Sequence, residues 1–179
     1  FAGNSGAFVL DTVNIPYVLG DYTINSGASM TIASTDMLKF TSYGHLYVNG
    51  SLTASAGIGQ KIYFTAYTDD NVGGDTNADG TATAPSTNYW GGVVFNDVSL
   101  DGGCVMRKCK VTFAGAGGVG GISMYNAGPT IDSCNLANNY FGVMMQDVSN
   151  PTFINNTIGS SQLVPIAMSF SANPTFSNN

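Results

Sequence analysis

Along most of this chain apolar and polar residues alternate with a period of two. The pattern starts at Tyr22 and runs through Ile24, Met30-Thr-Ile32, Leu38-Lys-Phe40, Leu46-Tyr-Val48 and Ile62-Tyr-Phe64. Turn signals at Asn25-Ser-Gly27, Gly44 and Asn49-Gly50 separate the runs. Such alternation predicts short strands, each buried on one face. Residues 1–20 follow the pattern least. Val9, Leu10, Val13, Ile15 and Val18 suggest short strands there, but Pro16 and Gly20 interrupt them, and an irregular or capping segment is expected.

The alternation is itself periodic. Three copies led by proline, Pro129-Thr-Ile131-Asp-Ser-Cys134, Pro151-Thr-Phe153-Ile-Asn-Asn156 and Pro174-Thr-Phe176-Ser-Asn-Asn179, follow one without it, Met106-Arg-Lys-Cys109. The equivalent positions 106, 131, 153 and 176 lie 25, 22 and 23 residues apart, and Leu38/Phe40 recur 24 residues later at Ile62/Phe64. A second matched set is Ile122-Ser-Met124, Val143-Met-Met145 and Ile166-Ala-Met168, with Phe95 in the same register. A period in this range predicts stacked units, none of which can bury its apolar face alone.

Each unit has room for three short strands and bends, with the next unit stacked in parallel about 4.8 Å away. The expected fold is therefore all-β, a parallel β-helix solenoid of about seven turns forming a single domain over residues 1–179. Met124, Met145 and Met168 should point inward, one above another, and Ser123, Met144 and Ala167 outward. Asn156 and Asn179 fall in the column of Cys109 and Cys134, where an inward amide can pair along the stack. Arg107 should lie directly beneath Asp132, a cross-rung ion pair.

One stretch, residues 69–88, breaks the rhythm. Asp69-Asp70-Asn71-Val-Gly-Gly-Asp75-Thr-Asn77-Ala-Asp79-Gly80 is polar and turn-rich, and the strand pattern resumes only at Trp90-Gly-Gly-Val93. This is expected to be a loop inserted into one coil. Asp75-Thr-Asn77-Ala-Asp79-Gly80 matches the first half of an Asp-x-Asn-x-Asp-Gly calcium loop, in which hard oxygens at alternate positions converge on one ion. The glutamate that would close such a loop at position twelve is absent, since Ser86 stands there. Asp69 or Asp70 can supply oxygens from the other side. The candidate ligands of a structural Ca2+ are therefore Asp69, Asp70, Asp75, Asn77 and Asp79, the alternative being a solvated acidic loop.

Composition narrows the function classes. Only 9% of residues are charged, all eleven acids are Asp, and five basic residues leave a net charge of −6, which argues against nucleic acid as a partner. No apolar run is long enough to span a bilayer. The three cysteines are read as buried thiols rather than a disulfide framework. His45 is the single histidine and is expected to face solvent. No nucleophile–base arrangement is visible, so no catalytic residue is assigned. Tyr47, Tyr63, Tyr89 and Trp90 are the candidates for glycan contact, since flat aromatic rings beside a polar loop stack on sugars.

The ordered series Val48-Asn-Gly50-Ser-Leu52, Ile62-Tyr-Phe-Thr65, Asp69-Asp70, Gly73-Gly-Asp75-Thr-Asn77-Ala-Asp79-Gly80 and Trp90-Gly-Gly-Val93 resembles secreted bacterial repeat proteins. These are right-handed parallel β-helices of the pectate-lyase-like superfamily. The resemblance covers most of the chain from Tyr22 and implies right-handedness and an extracellular or cell-surface setting. It does not imply one activity, because the superfamily holds lyases, hydrolases, adhesins and inert stalks. Its enzymes carry acids and a basic residue on an outer strand face. Here the corresponding columns, Val94/Ser123/Met144/Ala167 and Asn96/Tyr125/Gln146/Ser169, carry no charge. The expectation is a non-enzymatic, calcium-stabilised scaffold or adhesin-like domain, part of a longer chain, with a polysaccharide or cell-surface glycan as partner. The alternatives are a polysaccharide lyase or hydrolase whose catalytic turns lie outside this segment, and a module that stacks end to end with itself.

Overall fold

The computed structural model describes residues 3–11, 14–169 and 171–179. Val13, one of the early strand candidates, lies outside them. Among the described residues the only helical segment is a single 3-10 turn at Asp101–Gly103. Everything else regular is short strand, as the β-branched, aromatic and Gly/Asn-rich composition favours.

The strands form three parallel walls, entered in the same order in each coil. The first wall stacks Gly3–Asn4, Tyr22–Ile24, His45–Val48, Gly92–Phe95, Gly120–Tyr125, Phe141–Gln146 and Ile166–Met168. The second stacks Ala7–Leu10, Ser29–Ile32, Ser51–Ser55, Val105–Arg107, Thr130–Asp132, Thr152–Ile154 and Thr175–Ser177. The third holds Tyr17–Leu19, Met37–Phe40, Ile62–Ala66, Cys109–Thr112, Asn135–Ala137 and Thr157–Ile158. The result is a right-handed solenoid of about seven turns. In the segment 1–20, expected to be irregular or capping, Gly3–Asn4, Ala7–Leu10 and Tyr17–Leu19 supply one strand to each wall. Pro16 does not prevent this, because it sits just before the strand Tyr17–Leu19, where its missing N–H is not needed.

The vertical columns follow the repeat. Phe95, Met124, Met145 and Met168 are successive register partners, as are Met106, Ile131, Phe153 and Phe176. Inward residues of the middle coils are fully buried, and Phe153 and Phe176 stack at 5.0 Å between ring centres. Each coil contributes a few apolar side chains, and only the pile of coils closes a core.

The bend between the second and third walls is the most regular feature. Lys108, Ser133, Asn155 and Asn178 each adopt a left-handed backbone there, with φ of 53°, 56°, 54° and 55°. The residue that follows points inward: Cys109, Cys134, Asn156 or Asn179. The Asn156 amide donates to Ile131 O and to Asn179 Oδ1, both at 2.8 Å, and its Oδ1 accepts the Cys134 N–H at 2.8 Å. One coil down a thiol takes the same role, with Cys134 Sγ accepting the Cys109 N–H at 3.4 Å and donating to Met106 O at 3.4 Å. The three cysteines are buried free thiols, and burial pushes Cys104 and Cys109 above the ordinary thiol range.

Candidate metal centre

The inserted loop leaves the third wall after Ala66 and rejoins the first at Gly92. It folds back over the outer face of the third wall, and the alternation of that wall explains how it is held. Leu38 and Phe40 point inward, so Lys39 points outward, yet it is fully buried because the loop lies on it. Its Nζ donates to Gly74 O at 2.8 Å and Thr76 Oγ1 at 2.7 Å. Burial pushes the Lys39 pKa down, and Asp69, Asp70 and Asp75 draw it back up. Gly73, at φ +69°, packs so close that a β-carbon would strike Pro16 and Met37.

Asp69 anchors the start of the loop. It is almost wholly buried, accepts from Thr65 Oγ1 at 2.6 Å, and receives the Asn71 backbone N–H at 3.3 Å. Thr65 in turn meets Thr112 Oγ1 at 3.0 Å on the next rung. Both Asp69 oxygens therefore have protein partners.

The other candidate ligands come together. Asp70, Asp75 and Asp79 each offer a carboxylate oxygen within 4.8 Å of the others. Asp75 is held by the N–H groups of Asp79 (3.2 Å) and Gly80 (2.8 Å). Asp79 Oδ2 accepts from the Asn77 amide at 2.7 Å and from Thr83 Oγ1 at 2.5 Å. What remains is informative. Asp70 Oδ1, Asn77 Oδ1 and Asp79 Oδ1 are buried and have no hydrogen-bond donor. All three are acceptors. Buried polar atoms without a partner are rare and costly, and a group made only of oxygens beside three clustered carboxylates has the chemistry of a hard-cation shell. The residues present thus fit Ca2+, which Asp70, Asp75, Asn77 and Asp79 would hold, with Asp69 in the supporting network.

The aromatic candidates separate. Trp90 is fully buried, stacked on Phe40 at 4.2 Å, with its indole N–H donating to Thr112 O at 2.7 Å. Its expected role in glycan contact is therefore corrected: a flat ring beside a polar loop also suits the core, and here the core takes it. Tyr47, Tyr63 and Tyr89 are half-buried; Tyr47 and Tyr63 alternate with the inward residues of their strands, whereas Tyr89 packs against the core. His45 faces outward but is partly covered, stacked on Tyr47 at 4.9 Å with Nδ1 3.2 Å from Asp21. The outward column Val94/Ser123/Met144 keeps its register but is almost closed to solvent. Ser123 Oγ accepts the Gly120 N–H at 2.8 Å, and the Gln146 amide lies over Met144 Sδ. Arg107 and Asp132 are register partners, with Nε 2.8 Å from Oδ2.

Two residues escaped the sequence reading. Lys39 carried a signal, a lone lysine on an outer strand face just where an acidic loop is inserted. Asn139 carried none; it is buried, donates to Val111 O at 3.0 Å and accepts the Ala114 N–H at 2.9 Å.

A stacked, three-walled coil of this hand defines a parallel β-solenoid. The profile of the right-handed beta helix region family matches residues 84–179, just over half of the chain, and the protein belongs to that family. Comparison with curated proteins and with solved structures returned no match.

Proposed function

We propose that this protein is a non-enzymatic, extracellular β-helix scaffold of the adhesin type, whose loop 69–88 is held in place by a structural Ca2+. The observation that carries the metal in this reading is the set of donor-less buried oxygens on Asp70, Asn77 and Asp79, two of them from the three carboxylates that Asp70, Asp75 and Asp79 bring within 4.8 Å of one another. Nitrogen and sulfur donors are missing from the shell, which favours Ca2+ or Mg2+ over transition metals. A flexible set of carboxylate and amide oxygens suits Ca2+, which tolerates irregular coordination, better than Mg2+, which demands an octahedron.

Thermal unfolding of the whole chain in Ca2+, in Mg2+ and with a chelator tests the reading. A ligand at about a hundredfold excess over its Kd stabilises the folded state by about 2.7 kcal/mol. At this chain length that corresponds to a rise in Tm of about 5–10 °C. The rise should appear with Ca2+, be much smaller with Mg2+, and vanish in Asp79→Ala and Asp70→Asn. Identical melting curves with Ca2+ and with chelator would overturn it.

A further inference from the structure

Away from the loop, two corners of the coil carry opposite charge, and each displays apolar side chains. Between the second and third walls, the turn at residues 56–61 projects Ile58, which at 96% is the most exposed large apolar side chain among the described residues. That turn is braced. Gly57 donates its N–H to Ser34 Oγ at 2.9 Å, its carbonyl accepts from Lys108 Nζ at 3.2 Å, and Gly59 takes a left-handed φ of 73° just past the tip. Of the five basic residues, all but Lys39 lie at this corner on two adjacent coils: Lys61, Arg107, Lys108 and Lys110. Arg107 is paired with Asp132, and among the described residues no carboxylate forms an ion pair with the three lysines.

The corner between the first and second walls is the complement. Val98, Leu100 and Val148 are all more than half exposed there. Asp97, Asp101 and Asp147 stand exposed beside them, and residues 96–104, 126–129 and 147–151 contain no Lys or Arg. Just past the strands, the register sets Asp97, Asn126 and Asp147 in one column, with the Asn126 amide donating to Asp97. Val98 and Val148 therefore lie two rungs apart, about 9.6 Å. The rung between them carries only Ala127 and Gly128 at that place, so small residues separate two apolar flanks.

We propose that this protein associates side to side with itself, Ile58 of one copy seating on the Val98–Leu100–Val148 corner of the next. Its lysines then face the carboxylates of Asp97, Asp101 and Asp147. The net charge of −6 opposes the approach of two copies, and this local match of sign offsets it and sets the orientation. A second copy is the occupant favoured because one chain holds both halves of the match, a rigid apolar knob ringed by ammonium groups and an apolar patch edged by carboxylates. The two halves sit on different corners, so the contact is heterologous. Each pair keeps one knob and one patch unused, and assembly continues into rings or filaments instead of stopping at a dimer.

Sedimentation velocity of the whole chain in Ca2+ buffer, at concentrations up to about 1 mM, reaches even weak contacts. The mean mass of the parent should rise with concentration past that of a dimer. Ile58→Asp and Leu100→Asp should each weaken association more than about tenfold, because each puts a carboxylate where an aliphatic side chain is buried. Neither should lower Tm, since both side chains are exposed in the single copy. Mixed together, the two variants regain one contact: the Leu100→Asp copy still has its knob and the Ile58→Asp copy still has its patch. The mixture should therefore form a 1:1 dimer that grows no further. Lys61→Glu, which turns attraction into repulsion, should also weaken association. A parent that stays monomeric at the highest concentration would overturn the proposal, as would a mixture no larger than either variant alone. Association undiminished in both variants would place the contact at the open coil ends and overturn it too.

Discussion

Two corners of the coil solve the same problem in opposite ways. From the fourth coil on, the chain turns between the second and third walls within two residues, and the inward side chain at the turn bonds to the neighbouring coils. Asn156 alone serves Cys134, Ile131 and Asn179. Between the third and first walls, in one coil, the chain runs through 69–88 without a strand and finds no repeat beside it. That corner depends on individual long-range contacts: Trp90 on Phe40, Lys39 on Gly74 and Thr76, and Asp69 on Thr65. A periodic corner inherits its partners from the stack, whereas an inserted one must find its own. The loop accordingly keeps three buried acceptors without donors, on Asp70, Asn77 and Asp79.

The strongest way to break the comparison is at the loop's return. Trp90→Ala removes a fully buried indole and leaves Thr112 O without its donor, so a loss of about 3–5 kcal/mol is expected. Urea unfolding measures it, and a loss under about 1 kcal/mol would mean the inserted corner does not rely on this ring.

Next comes the periodic corner. Asn156→Ala strips partners from the Cys134 N–H and the Ile131 carbonyl, each worth about 1–3 kcal/mol when left buried and unmet. Asn156→Cys should recover part of this loss, because Cys134 fills the same role one coil down. Equal losses in the two variants would deny the equivalence of thiol and amide in this column.

Lys39→Met should separate local from global stability. A methionine fills the space of the lysine stem without a buried charge, so urea unfolding should move by no more than about 1 kcal/mol. Amide exchange across 69–88 should nonetheless quicken several-fold, because the loop loses its bonds from Nζ. Unchanged exchange would show that the loop is held elsewhere.

The smallest effect is on the second wall. Burial works to raise the Asp132 pKa, but hydrogen bonds from Ser133 and Arg107, with the Arg107 charge, hold it below the ordinary 3.8. A depressed carboxylate pKa contributes stability that is whole above the unfolded value and is lost as pH falls through the folded one. Arg107 is half exposed, so the contribution is no more than about 1 kcal/mol. Stability of Asp132→Asn should therefore converge with that of the parent below pH 3.8. A gap that persists in acid would assign the difference to packing rather than charge.

Much of this architecture is legible from spacing. Residues 22 to 25 apart become register partners because a coil of constant length returns each side chain to its own column. Arg107 therefore meets Asp132, and Met124 meets Met145. The first coil was obscured by Pro16 and Gly20, which disturb alternation locally but sit outside its strands. The fate of Trp90 was hidden for a different reason: a ring next to a loop looks the same in sequence whether it faces sugar or Phe40. The left-handed turn at Lys108 carries no signal of its own and is recognised only by its column with Ser133, Asn155 and Asn178.

The sequence by itself determined the repeat, and with it the walls, the inward columns and the position of the insertion, because each depends only on separation along the chain. Tertiary structure decided where the loop lies. By folding over the third wall it buries Lys39 and gathers Asp70, Asp75 and Asp79. Those contacts join residues with no periodic relation, and only the path of the folded loop brings them together.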